Sequence, residues 1–128
     1  MHNFRKLQIW IESMDLVDAI YDKTKSFPRQ EVVGLVSQMQ RAAVSVPSNI
    51  AEGSGKSNKD FARFLSISVG SLFELETQVL IAERRGYLDK SISELLINRV
   101  VRLQRMINTF RLQLAQQSTS LQEFEQGQ

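Results

Sequence analysis

Apolar residues recur at helical spacing in four stretches of this chain, and polar, proline- or glycine-marked joints separate them. In the first, from about Phe4 to Ser26, Leu7, Trp10, Met14, Val17 and Tyr21 alternate spacings of three and four, the seam of a bundle helix. Phe27-Pro28 ends it, because the residue before a proline avoids the α region. The second, from about Arg29 to Glu52, carries Leu35, Met39, Ala42, Val46 and Ile50 on one face. Pro47 lies inside it and removes one backbone hydrogen bond, which predicts a kink or a break and restart. Gly53 fits the position just past a helix end, with Ser54-Gly55-Lys56 as a short loop.

The third stretch opens on Ser57 as N-cap, with Asp60 three residues on, and runs to about Arg85, where Gly86 stops it. Its seam is Phe61, Phe64, Leu65, Ser68, Leu72, Leu75, Val79 and Ala82. The fourth opens on a similar pair, Ser91 and Glu94, and its seam is Leu96, Val100, Leu103, Ile107, Phe110 and Leu114. From Ser118 the period is lost. The expected organisation is one all-α domain over residues 1–117 and a disordered polar tail over residues 118–128. Short joints favour antiparallel neighbours, hence an up-down-up-down four-helix bundle.

Two helices carry more than one pattern. Beside the apolar face of the second, Gln38, Arg41, Ser45, Asn49 and Glu52 form a narrow polar strip. One reading is a buried hydrogen-bonded network with Ser71, Glu74 or Gln78 of the third helix, which fixes register or subunit orientation. The other is a pocket lined by Arg41, Asn49 and Glu52. On the third helix, Val69, Phe73 and Leu80 make a second apolar strip about 100° from the seam. A helix too apolar for one interface has two, so this strip is expected to contact another subunit.

Composition narrows the chemistry. The 128 residues include two prolines, six glycines, one histidine and no cysteine. Without cysteine there is no disulfide framework or thiolate metal site, which fits a reducing, cytoplasmic compartment. The N-terminus lacks the apolar core and cleavage site of a signal peptide. No uninterrupted apolar run reaches the roughly 18 residues of a membrane span, so no membrane role is expected. The lone His2 sits in a terminus expected to fray, and no Glu-x-x-His pair occurs, so neither a di-metal bundle nor a nucleophile–base pair can be assembled. The loop at Gly53–Ser57 lacks the spacing and preceding strand of a phosphate loop. The expectation is no catalysis, no metal and no cofactor.

Charge is segregated. Glu12, Asp15, Asp18 and Asp22 mark the first helix as acidic; Arg99, Arg102, Arg105 and Arg111 mark the fourth as basic. Arg102 and Arg105 point away from the seam, whereas Arg99 and Arg111 flank it. The two helices either pair with each other or leave the arginines for phosphates. The N-terminus of the third helix, with Lys56 and Lys59 beside it, offers a further weak anion site. Without the tail, which holds two of the 14 acids, 16 basic side chains face 12 acidic ones.

The ordered motifs FP (Phe27-Pro28), E-x-x-GL (Glu31, Gly34, Leu35), Q-x-x-RAA-x-S (Gln38 to Ser45) and NIAEG (Asn49 to Gly53) carry a resemblance. So do F-x-R-FL (Phe61 to Leu65), GS-x-x-E (Gly70, Ser71, Glu74) and GY (Gly86-Tyr87), with Lys56 as the basic residue after the turn. Over roughly residues 4 to 115 the chain resembles the small bacterial four-helix-bundle proteins encoded in intervening sequences of large-subunit ribosomal RNA genes. The resemblance implies a bundle that assembles into a ring-like homopentamer. A related branch, the accessory variability proteins of diversity-generating retroelements, binds a reverse transcriptase and nucleic acid. Two functions follow as expectations: an oligomeric RNA- or DNA-binding accessory factor, or a protein-interaction scaffold.

Overall fold

In a computed structural model the backbone is described for residues 2–126 and the side chains for residues 2–117. Among the described residues the helices are α1 (Gln8–Thr24), α2 (Leu35–Ser54), α3 (Asn58–Arg84) and α4 (Lys90–Gln126), with 3-10 turns at Phe4–Lys6 and Arg29–Glu31. The helices follow one another round a four-helix bundle: α2 packs on α1 and α3, and α4 packs on α3 and closes more loosely on α1.

The core is one cluster in which Leu16, Ile20, Met39, Val46, Ile50, Phe61, Leu65, Leu72, Leu75, Val79, Val100 and Ile107 are almost fully buried. The seams of α2, α3 and α4 lie where their spacing puts them, apart from a half-buried edge at Leu35, Phe64 and Phe110. The seam of α1 does not. Its buried face is Ile9, Ser13, Leu16, Ile20 and Thr24, one position back from the expected strip, while Met14 and Tyr21 are exposed. Ser13 and Thr24 hid it. Each is polar in sequence, yet each donates its hydroxyl to its own helix, to the Trp10 carbonyl at 2.7 Å and the Ile20 carbonyl at 2.8 Å, and so is buried without an orphaned group.

Pro47 neither breaks α2 nor restarts it; it is buried inside the helix. The break falls earlier, at Val32–Gly34, and separates the turn at Arg29–Glu31 from Leu35. Glu31 explains the site. Its Oε1 accepts from the Leu35 amide at 3.4 Å, and its Oε2 accepts from the Tyr87 hydroxyl at 2.9 Å. A Cβ at Gly34 would stand 2.8 Å from that Oε1, so a side chain there would push the carboxylate off the Leu35 amide.

Ser57 caps α3 as expected, accepting from the Asp60 amide at 3.3 Å. The cap of α4 is Asp89, not Ser91: Asp89 Oδ1 accepts from the Ile92 amide at 3.0 Å and from the Ser91 hydroxyl at 2.9 Å. These two bonds, the backbone one first, hold the Asp89 carboxyl below its ordinary value of 3.8. A depressed carboxylate stabilises the fold above its unfolded value, and the contribution is lost as pH falls through the folded one. Asp89→Asn keeps a capping oxygen without the titration. Its melting temperature is therefore expected to fall less than that of the parent between about pH 5 and pH 2, read by circular dichroism.

The helix containing the fourth seam runs on through Ser118 to Gln126, so no helix end marks the expected boundary at Gln117. No glycine or proline occurs before Gly127 to stop it. Side chains of the expected tail lie outside the described residues. By length and composition α3 is apolar enough to cross a membrane. That apolarity comes from two faces of one helix, a seam buried against α2 and α4 and an outer strip.

Candidate nucleic-acid interface

Arg102 and Arg105 stand on the outer side of α4, over a groove between that helix and the start of α1. The groove holds about 600 Å³. Leu7, Ile9, Val101, Met106 and Phe110 give it an apolar floor, and Gln8, Asn98, Thr109 and Gln113 a polar rim. Arg102 is tied across it, its Nη2 lying 3.3 Å from Glu12 Oε1. Arg102 is two-thirds exposed, so this pair contributes little, on the order of 0.2–1 kcal/mol. Arg105 and Arg99 are exposed and make no ion pair among the described residues. The acidic and basic helices thus pair once, at Glu12–Arg102, and leave two arginines open.

Arg111 belongs elsewhere. It lies on the α3 side of α4, where its Nη1 donates to the Ser66 hydroxyl at 2.6 Å. Lys56 lies 5.6 Å from the centre of the Phe64 ring and Lys59 is exposed. The Ser57 cap and the Asp60 carboxylate in the first turn already serve the α3 N-terminus.

The groove nevertheless reaches, at Leu7 and Phe110, the end of the bundle that carries Lys56 and Lys59. The His2 amide donates to the Ser54 carbonyl at 3.0 Å, and the His2 ring packs 5.2 Å from Phe61 and 5.9 Å from Phe110. The N-terminus is therefore docked rather than frayed. It brings Arg5 and Lys6 to the end that carries Lys56, Lys59 and the groove. Sequence reading passed over both, because their position depends on the docking of a three-residue turn.

The polar strip of α2 divides. Asn49 Nδ2 donates to the Ser45 carbonyl at 2.8 Å and to Ser45 Oγ at 3.0 Å, and the Ser45 and Ser71 hydroxyls bond at 2.8 Å. Ser68 adds a bond to the Val46 carbonyl at 2.9 Å. This is a short register lock between α2 and α3. Gln38, Arg41, Glu52 and Glu74 are not in it: all four are exposed, with no side-chain hydrogen bond or ion pair among the described residues. Gln38, Arg41 and Glu74 instead edge an open cleft of about 430 Å³ whose floor includes Ser45, Ser71 and Gln78. Among the described residues no three acids or histidines converge where a metal ion could sit.

The outer apolar strips are also placed. Phe73 and Leu80 are about half exposed, whereas Val69, expected at a subunit contact, is buried within the bundle. The Gln104 amide donates to Glu76 Oε1 at 2.8 Å, which identifies that side of α3 as the one facing α4. Met14, Tyr21 and Val44 are further exposed apolar residues, on the outside of α1 and α2.

A family model described as 23S rRNA-intervening sequence protein matches residues 5–109. No curated protein matches the chain. Among solved structures it is similar to a protein of unknown function from the S23 ribosomal protein family of Bacteroides thetaiotaomicron. The two share 20% identity with a TM-score of 0.75, over 80% of this chain and 97% of that one. At that identity the likeness is one of fold.

Proposed function

This chain belongs to the 23S rRNA-intervening sequence protein family, and from that premise we propose that it is a non-enzymatic, oligomeric accessory protein that binds RNA or DNA through the arginine-lined face of α4. The observation that carries the reading is the pair Arg99 and Arg105, exposed and without an ion pair among the described residues, beside the tethered Arg102. Arginine forks match phosphate oxygens bidentately, and a basic strip repeated around a ring sums into a strong field. The test is a titration against structured RNA, single-stranded RNA and duplex DNA at low and near-physiological salt. Phosphate contact makes affinity fall linearly with salt on logarithmic axes. No binding to any of the three transfers the role to a protein partner.

Assembly into a ring has its own support. The α1/α2 strip with Met14 and Tyr21 and the α3/α4 strip with Phe73 and Leu80 lie on opposite edges of the bundle, and they differ. Two unlike patches on opposite edges suit a head-to-tail contact, and such a contact closes into a ring when the rotation allows. The number five comes from the family resemblance. Phe73→Asp puts a charge into that contact. It is expected to reduce the particle to the 14.7 kDa subunit in sedimentation, with its helix content intact. A parent protein that already sediments as a monomer overturns the assembly.

A further inference from the structure

Resting on the nucleic-acid reading, we infer that the α1/α4 groove is a binding site for a few unstacked nucleotides, so that the protein selects single-stranded over duplex nucleic acid. The charge of the site calls for an anion, and its floor calls for something apolar. Arg102 and Arg105 stand beside a floor that includes Val101, Met106 and the half-buried Phe110. A sulfate-like anion uses only the arginines and leaves that floor wet. A phosphodiester strand uses both parts, with phosphate oxygens on the guanidiniums and base faces on the apolar wall. Every base has such a face, so the site needs no sequence preference.

The rim fits the same ligand. Asn98 and Gln113 each present a donor and an acceptor on one amide, the pairing that base edges display. They lie 15 positions apart along α4, which at 1.5 Å per residue spans about 22 Å, room for roughly three unstacked nucleotides. The volume of about 600 Å³ lies inside the range of small-molecule sites. A duplex keeps its base faces stacked inside, so it can use the arginines and not the floor. One wall of the groove is braced: Phe110 packs edge-on against the buried Phe61 at 5.5 Å.

The experiment uses the full chain, a ten-nucleotide oligouridine and an RNA duplex of equal length. Val101→Phe fills the floor and leaves both arginines; Asn98→Ala with Gln113→Ala removes the two α4 amides of the rim and touches no core residue. Melting curves confirm that each variant folds. The expected result is that either change weakens oligouridine binding about tenfold while duplex binding stays within about twofold. Uridine monophosphate is also expected to displace the oligomer far better than inorganic phosphate does. Equal loss for strand and duplex, no loss for either, or equal competition by phosphate overturns the groove assignment and leaves phosphate contact by the arginines standing. A parent protein that binds neither probe overturns the nucleic-acid reading itself.

Discussion

Replacing Arg102 and Arg105 together by glutamate is expected to abolish nucleic-acid binding without disturbing the bundle. Both side chains are exposed on the side of α4 away from the core. Among the described residues the one ion pair lost is Arg102–Glu12, worth no more than about 1 kcal/mol at that exposure. Each phosphate contact contributes about 0.7 for a single strand, or about 0.9 for duplex DNA, to the slope of log affinity against log salt, so the double change removes about 1.4 to 1.8 units of slope per bound subunit. It also turns two attractions into repulsions. Affinity near physiological salt is therefore expected to fall more than about 100-fold, beyond what a titration at micromolar protein detects. Glu12→Gln works in the opposite direction. It frees Arg102 from its tether and is expected to tighten binding at low salt. If both variants bind as the parent does, the phosphates are held elsewhere, and the basic end with Arg5, Lys6, Lys56 and Lys59 is the next candidate. If the double variant changes the sedimenting particle, these arginines hold subunits together instead.

The sequence made three helices and their packing faces legible because their seams are made of large aliphatic and aromatic residues at bundle spacing. The face of α1 was misplaced because two of its five buried positions are Ser13 and Thr24, which hide their hydroxyls on their own helix. The strip that took its place is real. Met14 and Tyr21 form an outer apolar edge, so α1, like α3, carries two faces, and periodicity alone does not say which is inside. The motifs behind the family resemblance prove to be contact pairs. Glu31 of one meets Tyr87 of another, and Ser45 meets Ser71. Gly53 lies against Phe61 and Phe64. The groove was not legible. It depends on how loosely α4 closes on α1, and no single-helix pattern encodes a distance between helices. Nor was the division of the polar strip, since Ser45 and Asn49 differ from Arg41 and Glu52 only in how short side chains reach a neighbouring helix.

Gly53→Ala is expected to destabilise the protein although alanine is the better helix former. Gly53 is buried in the last turn of α2. A Cβ there would stand 2.7 Å from Phe64 Cβ and 2.8 Å from Phe61 Cδ1. The first of these atoms is fixed to the α3 backbone, so no side-chain rotation makes room and α3 itself must shift. Alanine gains about 1 kcal/mol of helix propensity. Overpacking of this kind costs about 1–3 kcal/mol, so the net change is a loss of up to about 2 kcal/mol. Gly55 supplies the control from the same turn: a Cβ there meets nothing within 4 Å and its φ is –87°. Gly55→Ala is thus expected to be neutral or slightly stabilising, and urea denaturation of the two variants separates packing from propensity. The displacement does not stop at the elbow. Phe61 is fully buried, with Phe110 5.5 Å and His2 5.2 Å from its ring, so a shifted Phe61 loosens the docked N-terminus and one wall of the groove. Gly53→Ala is therefore expected to weaken single-strand binding as well as stability, at a site none of whose lining residues has changed. If Gly53→Ala is as stable as Gly55→Ala, the α2–α3 elbow accommodates a methyl group, and the close approach of Gly53 to Phe64 is not what sets the position of α3.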